Sequence, residues 1–126
     1  MMRVVDTSAW IEWFLDSPTG KLVGPQVPPR DQFVVPTIVQ FELAKWLRRE
    51  ISDQQADEVI ALTDKCVVAA LSTSTAVRAA YVAQAHKLSA ADAIIYATAQ
   101  NHEAELLTCD AHFEGLPGVV YIAKNG

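Results

Sequence analysis

Short apolar runs alternate along this chain with stretches whose apolar residues recur every three or four positions, the pattern of strands feeding helices. Arg3 to Val5 predicts a first buried strand ending at Asp6, and Ser8 stands where a cap would open a helix through Trp13, Phe14 and Leu15. Phe33 to Val35 predicts a second strand. Thr37 and Gln40 then have the spacing of a capping box, ahead of a helix carrying Phe41, Glu42, Ala44, Trp46 and Leu47. Ser52 with Gln55 repeats that signature, and Ala56, Val59, Ile60 and Thr63 recur at helical spacing before a third strand over Val67 to Leu71. Two Ala-rich helices follow, from about Thr75 to Lys87 and from about Ala90 to His102. Leu106 to Cys109 predicts a fourth strand, Asp110 to Phe113 a turn, and Val119 to Ile122 a last strand behind Gly118. Residues 16–31 interrupt the alternation. With Pro18, Pro25, Pro28, Pro29, Gly20 and Gly24 they read as a surface loop with room for a short helical turn, and Thr19-Gly20-Lys21 lacks the rest of a phosphate loop.

No two strands are joined by a two-residue hairpin turn. The alternation therefore implies an α/β fold: a mainly parallel, twisted central sheet of four to five strands flanked by helices. At 126 residues the expectation is a single domain spanning 1–126. Lys and Arg total 10 against 15 Asp and Glu, a net charge of −5, so no general attraction draws the chain to nucleic acid or an anionic membrane. A phosphate-bearing substrate needs a cation to mediate. Cys66 and Cys109 make no CxxC pair and have no His at metal-ligand spacing, which argues against zinc and against a disulfide scaffold. Asp6 arrives before a signal-peptide core could form, and no apolar run approaches ~18 residues. The expectation is a soluble, cytoplasmic protein with no membrane partner.

Ligands of open parallel sheets bind beyond the carboxyl ends of the strands. Asp6 and Asp110 occupy two such ends, while Glu42 and Asp92 lie in the first turns of their helices. Each has an ordinary structural role open to it: Asp6 capping a turn, Glu42 facing solvent, Asp92 completing a capping box with Ser89, Asp110 opening its turn. Placed together at one edge, the four favour a site. Two unit charges ~4 Å apart repel by roughly 4 kcal/mol at an effective dielectric near 20, so such a cluster calls for a divalent cation. Carboxylate oxygens suit Mg²⁺ or Mn²⁺.

Four segments in register resemble the PIN domain, and most closely the VapC-type toxins of bacterial toxin–antitoxin pairs. They are Asp6-Thr7-Ser8-Ala9-Trp10 after an apolar strand, Glu42 within Gln40-Phe41-Glu42-Leu43-Ala44, Leu88-Ser89-Ala90-Ala91-Asp92-Ala93-Ile94-Ile95, and Thr108-Cys109-Asp110-Ala111-His112-Phe113. The resemblance implies an Mg²⁺- or Mn²⁺-dependent endoribonuclease with RNA as substrate and 5′-phosphate and 3′-hydroxyl products. It also implies a cognate small antitoxin that places a basic side chain in the acidic cleft, and a homodimer built through the early helices. Residue by residue, Asp6, Glu42, Asp92 and Asp110 match the acidic metal-binding quartet. Ser8 matches the hydroxyl residue that positions an acid or a metal-bound water, and Thr108 is placed to do likewise. His112 departs from the pattern where many relatives carry another acid, which bears on whether a second ion is held. The Pro-rich stretch also looks unlike the compact helix of that region in relatives.

The remaining candidates have plainer readings. His86 and His102 fall near helix C-termini, where an imidazole meets the helix dipole favourably, and His112 fits a turn. Trp10, Trp13 and Trp46 read as core or interface anchors, and Lys45, Arg48 and Arg49 as a solvated helix face. A phospho-acceptor receiver domain would need an Asp at the end of the third strand, where Leu71-Ser72-Thr73-Ser74 offers none. A haloacid-dehalogenase-like site would need one in place of Ser8. The alternative from another class is a non-catalytic PIN-like module that docks a basic partner.

Overall fold

A computed structural model of the chain describes residues 1–124. Five strands, β1 (Arg3–Val5), β2 (Phe33–Pro36), β3 (Val67–Ala69), β4 (Glu105–Thr108) and β5 (Val119–Tyr121), form one sheet in the order β3-β2-β1-β4-β5. Every pairing is parallel. Helices α1 (Thr7–Leu15), α2 (Pro18–Val23), α3 (Thr37–Glu50), α4 (Asp53–Thr63), α5 (Thr73–His86) and α6 (Ala90–Asn101) flank it. Val4, Val5, Val34, Val35, Leu106 and Leu107 are fully buried, as expected of parallel strands covered on both faces. Their β-branched and leucine side chains explain why these runs read as strands without alternation.

The strand order sets the site. From β1 the chain moves outward through β2 to β3, then returns to the other side of β1 for β4 and β5. The reversal opens a crevice beyond the carboxyl ends of β1 and β4. Val5 is in register with Leu107, and the Asp6 N–H continues the ladder to the Leu107 carbonyl at 2.8 Å. Residues about 100 apart in sequence, Asp6 and Thr108, are thereby fixed side by side.

Several local expectations need correction. Ser8 does not cap α1. Asp6 holds the N-cap position without using its side chain, and Ser8 points to the crevice. Thr37 opens no capping box: Pro36 precedes α3 without a side-chain cap, and the Gln40 amide instead donates to Thr63 Oγ1 at 3.0 Å, tying α3 to α4. The third strand stops at Ala69, and Ser72 caps α5 two residues earlier than the Thr75 start suggests. Residues 16–31 are not simply a loop. Ser17 caps α2 by accepting from Gly20 N–H, Pro18 sits at the first helical position where its missing N–H costs nothing, and two 3₁₀ turns follow at 24–26 and 30–32. Thr19, Gly20 and Val23 are buried. The Ser52 cap forms as expected, its Oγ accepting from Gln55 N–H at 3.1 Å. Among the described residues no helix is long and apolar enough to cross a membrane.

Candidate active site

Asp6 leaves the end of β1 and is only 3% exposed. A carboxylate in that position has to find donors, and two hydroxyls supply them. Ser8 Oγ donates to Asp6 Oδ2 at 2.7 Å, and Thr108 Oγ1 donates to the same oxygen at 2.8 Å. Each hydroxyl has a single proton, so the 3.3 Å approach between Ser8 and Thr108 is a contact between acceptors. Both hydroxyls in turn accept backbone N–H groups at the end of β4, Ser8 from Cys109 at 3.1 Å across the sheet and Thr108 from Asp110 at 2.9 Å within its own segment. The result is a closed network joining the ends of β1 and β4. Burial pushes the Asp6 carboxyl up to about 6; the two hydroxyls oppose that, and the nearby Asp92 and Asp110 charges reinforce it.

Asp92 and Asp110 form the outer part of the cluster. Ser89 caps α6 by accepting from Asp92 N–H at 3.4 Å, which puts the Asp92 side chain in the first turn facing the crevice. Its carboxyl is also held above the usual range, first by burial and then by Asp110, with His112 pulling the other way. Asp110 caps the 3₁₀ turn Ala111–Phe113 by accepting from His112 N–H at 2.9 Å. That turn swings the exposed His112 ring back, so Nδ1 lies 3.1 Å from Asp110 Oδ1 and 3.4 Å from Asp92 Oδ2. Among the described residues, Asp92, Asp110 and His112 are the group whose ligand atoms all lie within 4.8 Å of one another. Carboxylate oxygens dominate it, which suits a hard cation.

Glu42 stands apart from that group. Its Oε1 accepts from Thr7 Oγ1 at 2.7 Å, so the acid on α3 is fixed to the residue next to Asp6. The structure thus brings Asp6, Asp92 and Asp110 into electrostatic contact, places Ser8 and Thr108 on Asp6, and leaves Glu42 at the α1 side of the crevice.

The sequence profile of the PIN domain matches residues 3–119. The chain belongs to the PIN domain family. This PIN domain is similar to a solved toxin–antitoxin complex from Klebsiella pneumoniae, with 28% identity, a TM-score of 0.80, and 94% of this chain and 95% of that chain covered. It is also similar to VapC20 from Mycobacterium tuberculosis, described as a sarcin–ricin loop cleaving toxin, with 18% identity, a TM-score of 0.74 and coverage of 93% and 96%. VapBC2 from Rickettsia felis, solved bound to a DNA fragment from the promoter of the pair, superposes with 12% identity, a TM-score of 0.74 and coverage of 99% and 100%. The last two show the fold alone. No curated protein matches the chain.

Other candidates of this PIN domain fall outside the crevice chemistry. His86 ends α5 with its ring edge-on to Tyr96, and His102 caps α6 with Nδ1 2.9 Å from the Thr98 carbonyl. Both cysteines are free, and burial pushes the Cys109 thiol up to about 11, so it is no thiolate nucleophile at neutral pH. Trp10 packs on Trp13 and Phe33, and Trp46 meets Phe14 edge-on. Thr7 is the residue that reading the sequence missed. Its position directly after the strand-end Asp6 was the available signal, since the first helical residue there faces the neighbouring α3.

Proposed function

We propose that this PIN domain protein is the toxin of a toxin–antitoxin pair, an Mg²⁺- or Mn²⁺-dependent endoribonuclease of the cytoplasm. One observation carries the reading: Asp6, Asp92 and Asp110 converge at the reversal point of the sheet, and the innermost is so buried that its carboxyl is lifted to about 6. Burial and mutual repulsion make the ionised form of such a cluster costly, and a cation among the carboxylates would relieve that cost. Asp6, Asp92 and Asp110 would hold that ion, with Glu42 completing the acidic set from α3. When bound, it supplies an activated water and neutralises charge on the scissile phosphate. The chain's own residues prepare the ground. Ser8 and Thr108 donate to one oxygen of Asp6, which fixes the carboxylate plane. The bond from Cys109 N–H to Ser8 and that from Thr108 to Asp6 tie the two strand ends together, and Asp110 N–H orients the Thr108 hydroxyl.

Similarity to a toxin–antitoxin complex supports the antitoxin partner, and the fold shared with a sarcin–ricin loop cleaving toxin fits the RNA substrate. The antitoxin reading also fits an apolar groove between α1 and α4, lined by Trp10, Trp13, Phe14, Val59 and Leu62. Trp10 Nε1 is buried there without a hydrogen-bond partner among the described residues, and Leu62 is 55% exposed. An amphipathic helix of the antitoxin would cover that surface. A homodimer through the early helices belongs to the same proposal.

The test uses purified protein freed of antitoxin. Total RNA should be cut in Mg²⁺ or Mn²⁺ and left intact in EDTA, and Asp92→Asn should lower cleavage at least a hundredfold while keeping the far-UV circular dichroism of the wild type. No cleavage together with no cation-dependent rise in Tm would leave a PIN-fold binding module that docks a basic partner.

A further inference from the structure

The 10 basic residues of this acidic chain are not deployed alike. Arg3 pairs with Glu105, Lys21 with Asp16, and Arg48 with both Asp53 and Asp57 of α4. Lys45 and Arg49, one helical turn apart on α3, instead line a groove with Thr7, Phe41, Glu42 and Trp46. Among the described residues Arg49 pairs only with its exposed neighbour Glu50 at 3.2 Å, a pair of little strength. The Lys45 ammonium lies 5.9 Å from the centroid of the Phe41 ring, and Phe41 is 61% exposed. A large, exposed aromatic ring beside a cation, one residue from an acid of the site, is a surface with a ligand to meet. A second groove leaves the crevice on the other side, lined by Ser8, Asp110, Tyr121 and Lys124. Thr7 lines the first groove and Ser8 the second, so the two meet at the start of α1 beside Asp6.

We propose that a single-stranded RNA segment lies across the acidic centre through both grooves, with Phe41 stacking one base, Lys45 and Arg49 taking phosphates on one side and Lys124 on the other. The inference rests on the nuclease reading and names the path of its substrate. Positive charge at each of the two exits gives a protein of net charge −5 a local hold on a polyanion. A bare ring stacks an unpaired base and has no access to one inside a duplex, which selects single strands.

Two measurements on the full chain test the path: anisotropy of a fluorescein-labelled single-stranded RNA, and cleavage of the same RNA in Mn²⁺. The double variant Lys45→Ala with Arg49→Ala should raise Kd and KM about tenfold or more, keep kcat within about twofold, and flatten the slope of log K against log salt by about 1.4. Phe41→Ala should raise Kd about tenfold, and Lys124→Ala severalfold. Arg48→Ala removes one positive charge from the same helix but from the α4 side, and should change neither constant. Unchanged RNA affinity in variants that still cut RNA overturns the path and leaves the nuclease reading standing. Groove-dependent RNA binding in a wild type that cuts nothing supports the path and removes the nuclease reading. Loss of a protein partner with RNA affinity intact would make this face a protein interface and overturn the proposal, and a wild type that neither binds nor cuts RNA would overturn both.

Discussion

Between about pH 4 and pH 6 the folded chain keeps a proton on Asp6 that the unfolded chain has already released, because burial lifts this carboxyl from 3.8 to about 6. The folded state binds more protons in that window, so stability falls as pH rises through it, by up to about 3 kcal/mol from Asp6 alone. Asp92 is shifted in the same direction and adds to the slope. Asp6→Asn keeps an oxygen that accepts from Ser8 and Thr108 but carries no charge. In urea titrations without metal, the variant should therefore gain on the wild type between pH 4.5 and pH 7, ending more stable by up to about 3 kcal/mol while having lost cleavage. A stability difference that stays flat with pH would contradict the assignment of Asp6. Mn²⁺ at pH 7 should narrow the gap, since it binds the folded wild type and not the variant. At this scale the sequence was partly legible. Asp6 and Asp110 were read from strand ends, and Asp92 from its place in the first turn of its helix. The roles of the Ser8 and Thr108 hydroxyls came only through the family resemblance, because their direction depends on the register of β1 against β4 across about 100 residues.

The alternation of strands and helices was readable because apolar runs and helical spacing are local, and each strand core was found within one or two residues of its place. The helix α2 escaped because Pro and Gly ordinarily mark loops. Here Pro18 sits at the first helical position, and Gly20 serves a contact between helices rather than a turn. A Cβ on Gly20 would collide with the backbone carbonyl of Glu12 on α1. Backbone cannot step aside as a side chain can, so Gly20→Ala should destabilise by about 3 kcal/mol and lower Tm by roughly 10 °C. Gly24 is the internal comparison. A Cβ there meets only the Trp13 ring at ordinary contact distance, 3.5 Å, so Gly24→Ala should leave Tm within about 2 °C in a thermal melt. Equal effects at the two positions would show that α2 does not pack on α1 as described.

For the molecule as a whole, the acidic crevice and the apolar α1–α4 groove are separate surfaces joined by α1, whose first residues face the acids and whose tryptophans line the groove. The reading as a toxin then separates into two independent functions. Leu62→Asp should weaken binding of the antitoxin at least tenfold in a pull-down or calorimetric titration, through burial of an unpaired charge. RNA cleavage by the free protein should be unchanged. A variant that binds antitoxin normally would place the partner elsewhere on the surface. The acidic crevice was expected from the strand ends and the tryptophans of the first helix as interface anchors, but the share of α4 in the apolar groove was not evident, because grooves are made by residues brought together from different helices. Composition gave only the constraint that phosphate needs a mediating cation.

The position of β1 has a consequence for biogenesis. It is made first yet sits at the centre of the sheet, and its neighbour β4 begins at Glu105. A ribosome adding about 5–20 residues per second needs roughly 5–20 s between joining Asp6 and joining Asp110. Throughout that interval the nascent polypeptide holds half a crevice. Chains released before Asp110 is joined carry the first acid without the last.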